Sequence, residues 1–417
     1  MPKVRVIPMT EIDQDGQPLE STWWKGQLPP MDLKSIAHHF IDRLSCGELE
    51  ILEKIAVGLS SDESEGVRVG TTCSGIESGI MVTKALFAAI NERFSRSNVR
   101  VYGAFAAEIN PEKRQFIIDA HGEDVEHVFG DVSCFADETA YCYKTQAYVR
   151  IPKVFLKVSG TSCVNLSRER SDRADFADCY SEGKGESGHT YKFGYLKAIQ
   201  TTGAQVTVYE NVLDSSYALK DGDGVAQQPA TEIIAQDLQE HGHAFEFSKC
   251  CSSGFLLPQR RSRVWGSSCQ DESPSEYGLQ MRLSMLRMQG SMKFPLDSIL
   301  EKDLSQVEPK STTLISHITA VRKICAKRGL DVKQVTLDTA ASASRGPEWS
   351  HGLLTCVRPS HNIYHLGLKR MILGKEMLLA HGIFPDSPLP KQQTCFSSLA
   401  WGLCLQAIWK IQFGLIS

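Results

Sequence analysis

The stretch Val67-Arg-Val-Gly-Thr-Thr-Cys-Ser-Gly-Ile-Glu-Ser-Gly79 decides the fold, because an apolar run breaks into a glycine-containing turn and then into a helical pattern through Ala89. A second apolar run, Val99-Arg-Val-Tyr-Gly-Ala-Phe-Ala-Ala-Glu108, follows. A third unit runs from a helical Pro111–Ala120 into Val128-Phe-Gly-Asp131. Strand and helix patterns in alternation predict an open, mostly parallel α/β sheet. Further strands are expected at the run ending in Val158-Ser-Gly-Thr-Ser-Cys163 and at Ala204-Gln-Val-Thr-Val-Tyr209, the latter followed by Glu210-Asn211.

Working outward, residues 1–66 read as a polar lead with one amphipathic helix from Met31 into Leu59, in which Ile36, Phe40, Leu44, Leu49, Leu52 and Ile55 recur at helical spacing. The segment Asn165 to Tyr191 is charged and rich in Ser, Gly, Asp and Arg, and reads as a long loop. A helix is expected over Ala230–His241, others near Tyr277–Met288, Leu314–Lys327 and Leu366–His381, and an apolar tail over Phe396–Ile416. The expected division is a catalytic α/β domain over 67–265, a small substrate-facing region over 266–350, and a return to the first domain over 351–417.

Composition narrows the class. A chain of 417 residues, 42% hydrophobic and 23% charged, can bury a large core. Thirteen cysteines without a paired framework, after a Met1-Pro-Lys start lacking an apolar stretch, lead to an expectation of reduced thiols in the nucleus or cytoplasm. No run approaches the roughly 20 apolar residues of a membrane span, so no membrane is expected. The formal charge of -4 does not indicate a general polyanion binder, although a local basic patch can still hold phosphates. His241, His243, Cys250 and Cys251 lie close in sequence without Cys-x-x-Cys pairing, and no metal is expected.

The strand ends carry the chemistry. Gly75 and Gly79 in the first turn let a ligand approach the backbone, but the spacing is not that of a dinucleotide fingerprint. Glu108, ending the second strand, is placed to accept the hydroxyls of a ribose, and Asp131, ending the third, to accept from an amino group on a base. Together they fit a nucleoside-containing cofactor. Cys163 alone is more often a small buried apolar residue than a nucleophile.

Gly70-Thr-Thr-Cys-Ser-Gly-Ile-Glu-Ser-Gly-Ile80, Glu108, Gly130-Asp131, Gly160-Thr-Ser-Cys163, Tyr209-Glu-Asn-Val212 and Pro258-Gln-Arg-Arg-Ser-Arg263 resemble, in order, the motifs of the cytosine-5 DNA methyltransferases. Arg370, Leu373, Glu376, Gly382 and Pro385 are similar to a later motif of that family. The resemblance implies a Rossmann-like sheet that binds S-adenosylmethionine through Cys73, Ser74, Gly75, Ile76, Glu77, Glu108, Ile109, Asp131 and Val132. It implies that Cys163 attacks carbon 6 of a cytosine flipped out of duplex DNA, with the Asn165–Tyr191 loop closing behind it. Glu210 would bond ring nitrogen 3 and Asn211 would fix that glutamate. Arg261 and Arg263 would hold the carbonyl oxygen and brace the catalytic loop, with Gln259 in a structural role.

The chain departs from the family in Ser162-Cys163-Val164, where Pro-Cys-Gln is usual, in Glu77, where glycine is usual, and in Leu399-Ala-Trp-Gly-Leu-Cys404, where a Gly-Asn motif is expected. Two further expectations follow: a transfer-RNA methyltransferase, and a scaffold that binds nucleic acid without catalysis because Trp401 and Leu403 fill the donor pocket.

Overall fold

The computed structural model describes residues 33–42, 44–60, 66–75, 77–167, 172–254, 258–270, 296–301, 306, 309–340, 346–356 and 362–380. Ile76, the expected Tyr277–Met288 helix, Gly382, Pro385 and everything from Leu399 onward lie outside these.

The central sheet is built from β1 (Val67–Thr72), β2 (Val101–Ala107), β3 (Val125–Phe129), β6 (Leu156–Gly160), β7 (Val206–Val212), β8 (His243–Cys251) and β9 (Ser262–Gln270), with the hairpin β4 (Thr139–Cys142) and β5 (Ala147–Arg150) beside it. Its order is β3-β2-β1-β6-β7-β9-β8. From β3 to β7 every pairing is parallel, and β9 runs antiparallel to both β7 and β8. The chain winds outward from β1 in one direction through β2 and β3, then restarts on the other side of β1 with β6. This is a Rossmann-like doubly wound sheet whose order reverses between β1 and β6, and ligands of such sheets bind in the crevice beyond the strand ends at that reversal. The turn after β1 and Cys163 after β6 flank it.

Local chemistry explains the helices that cover the sheet. The expected single N-terminal helix is two, Leu33–Ile41 and Cys46–Leu59. Ser45 interrupts it by capping the second helix, with Glu48 closing the capping box. Asn110 caps the helix Pro111–His121, whose first residue is a proline that has no amide to leave unbonded. Leu52, Ile55, Leu86, Ile90, Val69 and Val206 share the core on one side of the sheet, while Phe105, Phe129, Phe135 and Ala198 pack on the other.

The expected loop after Cys163 is largely helical where it is described. Short helices at Cys179–Glu182 and Gly185–His189 lead into a π-helix at Thr190–Lys197. Its composition is polar, yet its few aromatic residues are large and fully used. Tyr180 and Tyr191 stack at 4.4 Å, and Tyr180, Tyr191, Tyr195 and Tyr209 are all buried. Their hydroxyls bond Tyr209, Asp237 and Thr207, so the aromatic rings are buried without stranding a donor.

A second sheet, antiparallel and ordered β11-β10-β12-β13, comprises β10 (Val335–Asp338), β11 (Trp349–His351), β12 (Ile363–His365) and β13 (Arg370–Met371), packed on the helix Thr312–Arg328. β9 continues through Gln270, across the boundary expected at 265/266. The expected Leu366–His381 helix is a strand and the shorter helix Gly374–Ala380. Arg322, Lys323, Lys327 and Arg328 form an exposed basic end of the Thr312–Arg328 helix. Among the described residues no helix is long and apolar enough to cross a membrane.

Candidate active site

The β1 turn is shaped by three residues in left-handed conformation, Cys73 (φ 54), Gly75 (φ 63) and Glu77 (φ 68). A left-handed cysteine or glutamate is uncommon and needs its surroundings to hold it. Here Ser74 Oγ accepts from the Ala107 amide at 3.0 Å, and the Gly75 amide donates to Glu108 Oε2 at 2.8 Å. The turn is thereby tied to the end of β2. Glu77 does not face the crevice: its carboxyl is 1% exposed, accepts from the Ile80 amide at 2.9 Å as an N-cap, and accepts from the Thr71 hydroxyl. Burial pushes its pKa up to about 7, against the pull of Thr71 and Ile80.

That shift has a sign. The folded state holds a proton on Glu77 across the window from about 4.5 to about 7 that the unfolded chain has released, so stability falls as pH rises through it. Glu77→Gln, which keeps an acceptor for Ile80 and gains a donor for Thr71, is expected to be more stable than wild type by about 3 kcal/mol at alkaline pH. The gain should vanish at acidic pH. Urea melts at the two pH values check it, and a gain equal at both would refute it.

Glu108 is 7% exposed and also accepts from the Asn110 amide at 2.9 Å, so both carboxylate oxygens are oriented by backbone donors and keep lone pairs for a ligand. Ile109 beside it is 66% exposed, an apolar face turned out at the end of β2. Asp131 caps the turn Val132–Ala136 through the Ser133 amide and meets His189 Nε2 at 3.0 Å. Partial burial pushes its carboxyl up, but the bonds from Ser133 and His189 outweigh this and hold it below the usual range. Val132 is buried against the π-helix at Gly194. The donor set at these strand ends fits a nucleoside: paired acceptors for a diol at Glu108, an acceptor for an exocyclic amine at Asp131, and an apolar surface at Ile109. Burial and then Glu108 push the Cys73 thiol up to about 12, away from a reactive thiolate.

Across the reversal, Cys163 ends the turn after β6, and its carbonyl accepts from the Leu166 and Ser167 amides. The turn is held from three sides. The Ser162 amide donates to Thr190 Oγ1 at 3.0 Å, Asn165 and Ser187 exchange two bonds, and Asn211 Nδ2 donates to Thr161 Oγ1 at 2.8 Å. Asn211 also meets Tyr180, and its contacts go to the Cys163 turn instead of Glu210. Burial pushes the Cys163 thiol above its ordinary value; Arg263 and Arg261 pull it down and Glu210 pushes it up.

Parallel pairing sets Glu210 of β7 beside Gly160 of β6, and antiparallel pairing sets it beside Trp265 of β9. A β-carbon on Gly160 would lie 3.5 Å from Glu210 Oε2, so the carboxylate lies over the backbone that leads to Cys163. Arg263 Nε is 3.0 Å from Glu210 Oε1, an ion pair with both side chains largely buried. Glu210 Oε1 makes no directional hydrogen bond among the described residues. Burial opposes the Arg263 charge, but Cys356, Glu210 and Cys163 around it raise its pKa. Gln259 is 1% exposed, and its segment pairs with Leu354.

Two participants escape sequence reading. Cys356 Sγ lies 3.8 Å from Arg261 Nη1 and 3.9 Å from Arg263 Nη2, brought from far along the chain by the pairing of 258–260 with Leu354. Lys157 is wholly buried under the β1 and β6 ends, donating to Thr72 Oγ1 at 3.0 Å, to Gly194 O at 2.7 Å and to Ser159 Oγ. A run of apolar strand residues conceals it. Desolvation pushes its pKa down to about 7. Between about 7 and 10.5 the unfolded state binds the extra proton, so stability rises with pH over that range. A depression of that size corresponds to about 5 kcal/mol, and losing three hydrogen bonds at about 1 kcal/mol each offsets part of the gain from removing it. Lys157→Met is expected to stabilise by about 2 kcal/mol below pH 7, with the advantage lost toward pH 10; a pH-independent difference in urea melts would contradict this.

Neither a protein-family model nor a curated protein sequence matches the chain. Among solved structures it is similar to S. pombe Dnmt2 methyltransferase, at 14% identity and TM-score 0.43 over 84% of this chain and 96% of that one. It is also similar to a prophage-encoded DNA modification methyltransferase from E. coli, at 14% identity and TM-score 0.44 over 84% of this chain and 99% of that one.

Proposed function

We propose that the chain is an S-adenosylmethionine-dependent methyltransferase that modifies carbon 5 of cytosine in DNA through a covalent adduct of Cys163. The convergence of Cys163, Glu210 and Arg263 at three adjacent strand ends, beside the crevice at the β1/β6 reversal, carries this reading.

The donor, held by the β1 turn, Glu108, Ile109, Asp131 and Val132, supplies an electrophilic methyl group. The chain's own residues make the acceptor. Cys163 thiolate adds to carbon 6, and the electron pair displaced from the ring's 5,6 double bond makes carbon 5 nucleophilic. Glu210, carrying a carboxyl proton, donates it to ring nitrogen 3, where negative charge would otherwise collect as the thiolate adds. Arg263, with Arg261, faces the carbonyl oxygen and balances Glu210 before substrate arrives. After transfer, the carbon 5 proton passes to water, the Cys163 thiolate is expelled, and the proton on ring nitrogen 3 returns to Glu210, restoring both the ring and the site. A stacked base cannot reach strand ends walled by the 185–197 helices, so the target is a flipped base.

The test uses the full chain with methyl-labelled S-adenosylmethionine and either duplex DNA or transfer RNA. Label is expected on carbon 5 of DNA cytosine, and Glu210→Gln should slow transfer by roughly 10²–10⁴-fold with donor binding intact. Label on transfer RNA alone overturns the DNA assignment, and donor binding without transfer to either substrate overturns the enzyme in favour of a scaffold.

A further inference from the structure

The buried amine of Lys157 is not used by the chemistry above. Its side chain is 0% exposed, and its bonded partners are the Thr72 and Ser159 hydroxyls and the Gly194 carbonyl. Thr72 and Ser159 stand at the ends of β1 and β6 and bond each other at 2.6 Å, so the amine lies beneath the crevice at the sheet reversal. The titratable groups facing it are Cys73 in the β1 turn and Tyr195 of the π-helix, whose ring centre is 5.2 Å from Nζ. Burial raises the pKa of both, so neither supplies a negative charge near neutrality. No neighbouring negative charge balances an ammonium at this position; only the Tyr195 ring face and the three hydrogen-bond acceptors offset its burial.

We propose that Lys157 sets the preference of the crevice between a cationic sulfonium donor and its neutral thioether product, the ammonium form disfavouring the cation. The inference rests on the donor site proposed above. S-adenosylmethionine and S-adenosylhomocysteine share adenine, ribose and amino acid, and differ in one methyl group and one positive charge at sulfur. A fixed cation under the pocket repels the first and leaves the second untouched; a neutral amine distinguishes them far less. Desolvation puts the switch between the two forms at about 7, so the preference changes within the physiological range. Below it the crevice favours product, and above it that discrimination is largely lost.

The experiment measures the dissociation constants of both ligands calorimetrically on the full chain, from about pH 6 to about pH 9, for wild type, Lys157→Met and Lys157→Gln. The wild-type ratio of donor to product dissociation constants is expected to fall on the order of tenfold as pH rises. Both variants should show only the shallow trend that comes from titration of the ligands themselves. Lys157→Gln keeps donors for Gly194 and Ser159 should the methionine variant fold poorly. A wild-type ratio that is flat, or that follows the same course as either variant, overturns the role of Lys157 while leaving the donor site standing. If neither ligand binds wild type at any pH, the donor site itself falls, and this inference with it.

Discussion

Cys163→Ala should lower methyl transfer by on the order of 10⁴-fold or more while leaving donor binding and thermal stability close to wild type. Without the sulfur no adduct forms at carbon 6, and carbon 5 of cytosine is not a nucleophile toward a sulfonium methyl. The fold should tolerate the change. Cys163 is half-buried, and the turn around it is held by Thr161, Ser162, Asn165 and Ser187, not by the thiol. Because burial raises the thiol pKa, the reactive thiolate is scarce at neutrality, and wild-type kcat/KM is expected to climb with pH beyond it. Single-turnover transfer, with trapping of the DNA adduct on a denaturing gel, reads both points. Residual transfer in the alanine variant within tenfold of wild type would remove Cys163 from the mechanism.

Arg370→Ala should destabilise the second unit by about 3–5 kcal/mol, the cost of stranding a buried carboxylate. The Arg370 fork bonds both Glu376 oxygens at 2.6 and 2.9 Å, and the two side chains are 4% and 1% exposed. Glu376 also accepts from the Glu301 and Leu373 amides, each at 2.7 Å, and Arg370 donates to the Glu301 and Met371 carbonyls. The pair therefore stitches β13, the helix Gly374–Ala380 and the segment around Glu301 into one body. Replacing both partners with apolar residues, Arg370→Met with Glu376→Leu, should recover much of the loss, because no lone buried charge remains. Chemical denaturation decides it: a single-variant loss under about 1 kcal/mol would mean that the carboxylate finds other company.

The Arg370 and Glu376 spacing illustrates how far sequence reading reaches. It is legible as a motif, but nothing in the spacing says that its work is structural, because Glu301 lies far away in the chain. Asn211 is similar. Its place after Glu210 suggests a partner for the glutamate, yet side chains alternate along a strand, and Asn211 points to the opposite face, where Thr161 and Tyr180 wait. The polar 165–191 stretch misleads for a different reason. Helix there depends on burying a few tyrosines whose hydroxyls find partners only in other elements, a tertiary fact that composition does not carry.

The sequence by itself determined the alternation of strands and helices, and with it the placing of the β1 turn, Glu108, Asp131 and Cys163 beyond strand ends, because period, turn residues and caps are local properties; Glu210, expected just after a strand closing at Tyr209, lies within β7, which runs on through Val212. Only the tertiary structure decided which ends meet. The reversal between β1 and β6 brings the turn and Cys163 to one crevice, the antiparallel β9 delivers Arg263 to Glu210, and the pairing of 258–260 with Leu354 brings Cys356 to both arginines. Lys157 belongs to that second category as well. A lysine in a strand reads as solvated until the burial of its amine shows otherwise, since the charge it bears depends on water excluded by residues distant in the chain.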